Sequence, residues 1–173
     1  MSVKNEALAG VALFRELPTE IRRALAPQLF RKVFPARSTI MAVDQRGEAV
    51  YFILSGTVRV HVERPDGEDV VIAILGPGEM VGEMSLLDGR GRSANVTTLD
   101  KTECLWMDGV AFREALRTSA ELSFAFVKLL TARIRLANDQ IQALAALDVE
   151  SRVARQLLCV GHAVWSREEG REH

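Results

Sequence analysis

The segment GEMSLLDGRGRSA, residues 82–94, gathers the side chains of this sequence best suited to chemistry. Gly82 lets the backbone kink sharply after the strand-like Met80-Val81, and Glu83 to Leu87 have the makings of one helical turn. The first N–H groups of such a turn, those around Met84 and Ser85, have no partner inside the helix and, with its dipole, form an anion site. The guanidinium fork of Arg92 suits two phosphate oxygens at once, the Ser93 hydroxyl supplies a further donor, and Ala94 keeps the approach uncrowded. Ionised Glu83 only accepts hydrogen bonds, so it repels a phosphate but suits a ribose hydroxyl beside it. Singly, these residues read better as a surface Glu83–Arg92 ion pair worth a fraction of a kcal/mol. Together they describe a cradle for the phosphate and ribose of a small nucleotide.

Other chemistry has little support. The histidines are His61, His162 and His173, with no His-x-His pair and no nucleophile beside a base, so an enzyme of the metal-dependent cupin kind is disfavoured. Cys104 and Cys159 are far apart, which gives too few thiolates for an iron–sulfur cluster and no disulfide framework, and both read as buried thiols. A net charge of −1, from 22 basic and 23 acidic residues, advertises neither nucleic acid nor an anionic membrane as a partner. No apolar run approaches the roughly 20 residues needed to span a bilayer, and MSVKNEALAG lacks the apolar core of a secretion signal. A cytoplasmic protein is expected.

The elements that must hold the cradle follow from periodicity. With 173 residues, 48% of them hydrophobic, the chain suits one domain with appendages. Leu8, Val11, Leu13, Phe14, Leu17, Ile21, Leu25 and Leu29 recur at helical spacing, broken by Pro18-Thr19, which predicts two short helices from Glu6 to about Phe30. Strands take over after Val33. Val58, Val60 and Val62 alternate with Arg59, His61 and Glu63, and Arg64-Pro65-Asp66-Gly67 supplies a turn before Val70 to Leu75, so 58–75 is predicted to be a hairpin. Glycines 47, 56, 76 and 78 punctuate further short strands, and strand character persists over 95–99 and 103–107. Near Ser119 the longest helix begins, with Val127, Leu130, Ile134, Ala137, Ile141 and Leu144 in the three-four alternation of a two-stranded coiled coil, which predicts a homodimer. The expected fold is mainly β with flanking helices: an antiparallel β-roll or jelly roll over residues 1–115, a dimerisation helix over 116–147, and a further amphipathic segment over 148–173.

The same residues resemble the cyclic-nucleotide-binding domains of bacterial transcription regulators of the catabolite-activator (cAMP receptor) type. Gly82, Glu83, Arg92, Ser93 and Ala94 match the family's phosphate-binding cassette, which implies phosphate contact for Arg92 and Ser93 and ribose contact for Glu83. Tyr51-Phe52-Ile53-Leu54-Ser55-Gly56, followed by Val58 and Val60, resembles its strand-and-glycine signature. Leu147-Asp148-Val149 with Arg152 resembles the hinge between its dimer helix and its DNA-binding domain. The resemblance implies cAMP, cGMP or another cyclic nucleotide as ligand, no cofactor, and DNA and RNA polymerase as partners only through a C-terminal winged helix-turn-helix, of which this chain carries the first helix. Two positions depart from the pattern. Ala36-Arg37-Ser38 and Val43-Asp44 stand where glycines are usual, and Ala137-Asn138 stands where a Thr-Ser pair contacts the purine, leaving Asn138 as the candidate base contact. The same fold in a regulator sensing haem-bound gas, with His61 or His162 as ligand, or another metabolite is the competing expectation, as is a stand-alone nucleotide-binding protein.

Overall fold

A computed structural model describes residues 8–64 and 66–146, with side chains in the last helix given as far as Ala143. The elements run α1 (Ala12–Arg15), α2 (Thr19–Leu25), a 3-10 turn (Ala26–Gln28), β1 (Phe30–Phe34), β2 (Thr39–Met41), β3 (Ala49–Ser55), β4 (Val58–Glu63), β5 (Asp69–Leu75), β6 (Met80–Val81), α3 (Met84–Asp88), β7 (Asn95–Thr98), β8 (Thr102–Asp108), α4 (Gly109–Thr118) and α5 (Ala120–Ala146). The strands form two four-stranded antiparallel sheets, ordered β1-β8-β3-β6 and β2-β7-β4-β5. Between them Phe34, Ile53, Val81 and Cys104 of the first sheet meet Met41, Val58 and Val96 of the second. This is the antiparallel roll with flanking helices that the periodicity predicts. Burial in that interior pushes the Cys104 thiol up to about 12, so it stays protonated and inert.

The other face of the first sheet is covered by helices through a chain of aromatic contacts. Phe14 of α1 meets Phe52 at 4.8 Å between ring centroids, Phe52 meets Phe112 of α4 at 6.3 Å, and Phe112 meets Phe126 of α5 at 5.7 Å. Such tilted and edge-on pairs add about 0.5–1.5 kcal/mol each beyond area burial. Asp108 starts α4 by accepting from Val110 N and Ala111 N, and Ser119 Oγ accepts from Leu122 N at the start of α5. The boundary between two compact units of the chain falls inside α5, between Leu129 and Leu130.

Two local readings change. The first strand begins at Phe30, because β1 is an edge strand whose Phe30 and Val33 remain about half exposed and so give no alternation. The hairpin β4–β5 forms as expected, but His61, placed by alternation on the polar face, is buried. Its side chain stays on the face opposite Val58 and Val60, where polar neighbours cover it; the register shift near it places its extra residue on β5, and β4 pairs with β7 unbroken. There His61 Nε2 lies 3.1 Å from Thr97 Oγ1 and Nδ1 lies 3.0 Å from Asp69 Oδ1, while Asp69 Oδ2 holds Arg59 Nη2 at 3.0 Å. Cys159, His162, and the hinge-like 147–152 lie outside the described residues.

Candidate functional site

The cradle is built where β6 leaves the roll. Pairing of Tyr51 with Val81 and Phe52 with Met80 fixes β6 against β3, and Gly82 then turns the chain at φ +90°, a region side chains rarely adopt. The turn α3 follows directly after Glu83, and Gly89 at φ +70° ends it. The returning loop is tied to the segment before β3. Arg92 N donates to Gln45 O at 2.9 Å, Asp44 N donates to Arg92 O at 3.0 Å, and Val43 N donates to Asn95 Oδ1 at 2.8 Å.

These bonds aim Arg92 inward. Its Nη1 donates to Gly82 O at 2.5 Å and to Ser85 Oγ at 2.9 Å, and its Nη2 donates to Ala49 O at 2.6 Å. Those contacts use both Nη1 hydrogens and one on Nη2; among the described residues the second Nη2 hydrogen and the Nε hydrogen have no partner, leaving two donors of the fork for an anion. Burial pushes the Arg92 pKa down, and Tyr51, Glu83 and Glu48 pull it back up. Arg92 and Glu83 are only 6% and 5% exposed, so a screened surface ion pair is not what these two residues form.

The remaining expected residues divide between interior and rim. Ser85 is buried and its hydroxyl holds Arg92, so it positions the arginine as well as belonging to the turn. Ala94 is buried, whereas Ser93 is exposed at the rim, its Oγ 3.7 Å from Sδ of the half-exposed Met84. Asn138 is exposed on α5, in the stretch beyond Leu129. Residues not expected from the sequence stand around Arg92 and Ser85: the Ala49 carbonyl, Tyr51, and Gly47, where a Cβ would collide with the Ser85 side chain. Only their three-dimensional neighbourhood marks them. Arg37 and Asp44, standing where glycines are usual, nevertheless adopt φ +61° and +64°. The loop therefore keeps a glycine-like backbone path, at the steric cost a side chain bears in that region.

Gly82→Ala is expected to destabilise the fold by about 2 kcal/mol or more, since the left-handed φ is combined with a collision. The added Cβ would lie 2.6 Å from Arg92 Nη1, 3.0 Å from Ala49 O and 3.1 Å from Met41 Cε. A lower urea midpoint at unchanged slope is the check.

Among the described residues no helix is long and apolar enough to cross a membrane, and no group of three or more His, Cys, Asp or Glu is placed to hold a metal ion. Residues 31–119 match the family described as cyclic nucleotide-binding domain. The CRP-like cAMP-activated global transcriptional regulator of Mycobacterium tuberculosis is 32% identical over 166 residues, 96% of this chain and 74% of the relative. The catabolite activator protein of Thermus thermophilus superposes with a TM-score of 0.69 at 30% identity, covering 78% of this chain and 63% of that one. A cyclic nucleotide-binding domain from Methylobacillus flagellatus superposes with a TM-score of 0.70 at 26% identity, covering 84% of each chain. The chain belongs to the cyclic nucleotide-binding domain family and has homologues among CRP-like regulators.

Proposed function

We propose that this chain is the sensing module of a cyclic-nucleotide-responsive transcription regulator, and that the ligand seats on residues 82–94. The observation that carries the reading is the buried, backbone-anchored Arg92, whose remaining donors offer a fixed positive fork to a cyclic phosphate. Arg92 and Ser93 hold the phosphate, the N–H groups at Met84 and Ser85 line it, and Glu83 accepts from the ribose 2′-hydroxyl. Asn138 offers both donor and acceptor to the base. The ligand is cAMP, by likeness to relatives named for it, with cGMP as the alternative; it is a signal and not a cofactor, and the role needs no catalysis. Transcription control, in the cytoplasm and with DNA and RNA polymerase as partners, belongs in this reading to a C-terminal DNA-binding domain and not to residues 8–146.

The described contacts supply a route by which occupancy is felt away from the cradle. The Leu86 carbonyl of α3 accepts from Arg113 of α4 at 3.3 Å, and Phe112 of α4 packs on Phe126 at the base of α5. A ligand that binds one arrangement of α3 better than another biases this chain of contacts by that difference in affinity.

Titration calorimetry with cAMP, cGMP and 2′-deoxy-cAMP tests the proposal. Saturable binding of a cyclic nucleotide is expected, with roughly tenfold weaker binding of the deoxy analogue, the usual worth of a hydrogen bond to a charged acceptor. A folded sample that binds neither cAMP nor cGMP overturns it.

A further inference from the structure

Tyr51 stands beside Arg92. Along its own strand it lies two residues beyond Ala49, whose carbonyl takes Arg92 Nη2. Across the sheet it pairs with Val81, the residue before Gly82, whose carbonyl takes Arg92 Nη1. The guanidinium is thus fastened to the backbone on both sides of this tyrosine. The pairing of β6 with β3 reaches only Tyr51 and Phe52, so Ala49 lies beyond β6 and its carbonyl is left for the arginine.

The ring of Tyr51 packs inward, against the Phe34, Ile53, Val81, Val96 and Cys104 cluster, and meets Phe34 edge-on at 6.0 Å. The residue is partly buried, but its hydroxyl is not one of the buried polar atoms left without a partner, and among the described residues no side chain or carbonyl bonds it, so it reaches water. A hydroxyl that meets water on an otherwise packed ring can exchange that water for a ligand oxygen. Burial raises the Tyr51 pKa above the ordinary phenol value, against the pull of the Arg92 charge. The phenol therefore stays protonated at neutral pH and is available as a donor.

We propose that Tyr51 is a further ligand-contacting residue, its hydroxyl donating to an oxygen of the cyclic phosphate that Arg92 holds. This rests on the cyclic-nucleotide reading above. It adds a neutral donor from β3 to the charged fork of Arg92.

Tyr51→Phe tests it, because the variant keeps the ring that packs on Phe34 and deletes only the hydroxyl. The dissociation constant for cAMP, measured by calorimetry on the whole chain, is expected to rise about tenfold, as for a lost hydrogen bond to a charged group. The 31P resonance of bound cAMP should shift between parent and variant, and the ligand-free unfolding midpoint should stay put. Unchanged affinity overturns the assignment while leaving the cyclic-nucleotide reading intact. Weaker binding with an unmoved 31P resonance, or with an equally lowered midpoint, makes the hydroxyl structural and also overturns it. A parent chain that binds no cyclic nucleotide removes both readings together.

Discussion

Arg92→Ala is expected to abolish measurable cyclic-nucleotide binding and to weaken the fold at the same time. Two charge-assisted hydrogen bonds to a phosphate are worth about 1.5–3 kcal/mol each, so their loss lowers affinity by roughly a hundredfold or more. The structural effect has a separate origin. Without the guanidinium, the carbonyls of Gly82 and Ala49 and the hydroxyl of Ser85 lose the donors they hold at 2.5, 2.6 and 2.9 Å, in a place only 6% exposed. Leaving buried acceptors unsatisfied costs about 1–3 kcal/mol apiece, less whatever water recovers by entering. Arg92→Lys separates the two effects. A lysine keeps the positive charge and satisfies one or two of the acceptors, but as a point charge it has no second arm to present to the phosphate. Its urea midpoint should fall less than that of the alanine variant, while its affinity still drops at least about tenfold. An Arg92→Ala protein that folds and binds cAMP as tightly as the parent would sink the assignment of the cradle.

The residue types of the cradle were legible in the sequence because the phosphate chemistry is local: a glycine to turn the chain, free N–H groups, and an arginine ten residues on. What surrounds Arg92 was not. Ala49 contributes a carbonyl, which every residue has, and only the end of the β6 pairing at Tyr51 leaves it for the arginine. Ser85 was legible as part of the turn but not as a support for Arg92, since that depends on Gly47 leaving room for its side chain. The alternation that revealed β4 set His61 on the polar face, but its burial there depends on Thr97 and Asp69 of neighbouring strands, which periodicity within one strand does not show. Arg37 and Asp44 stand where glycines are usual, yet the backbone takes positive φ at both, so tertiary bonds such as Asp44 N to Arg92 O outweigh local preference.

The long helix gives the second large effect. Its base is anchored, with Leu122 and Phe126 only 1% and 4% exposed, but from Val127 to Ala143 no residue is buried. Val127, Ile134 and Ile141 are 56%, 61% and 62% exposed, and with Leu130 and Ala137 they make the seam expected of a coiled coil; the side chain of Leu144 lies outside the described residues. A helix of 27 residues is about 40 Å long, and most of its stability must come from covering an apolar face. We propose that a second copy of the chain covers this one. Ile134→Glu then sets two like charges against each other across the two-fold axis and removes about 2 kcal/mol of apolar burial from each subunit, enough to weaken dimerisation roughly a thousandfold. Sedimentation velocity at micromolar concentration should show dimers for the parent and monomers for the variant. Because Ile134 is exposed in the single chain, the roll of the monomeric variant should keep its β-sheet circular dichroism and its Arg92-dependent ligand binding. Loss of both would assign Ile134 to the fold of the monomer, and a variant that stays dimeric would mean that the subunits meet on another face.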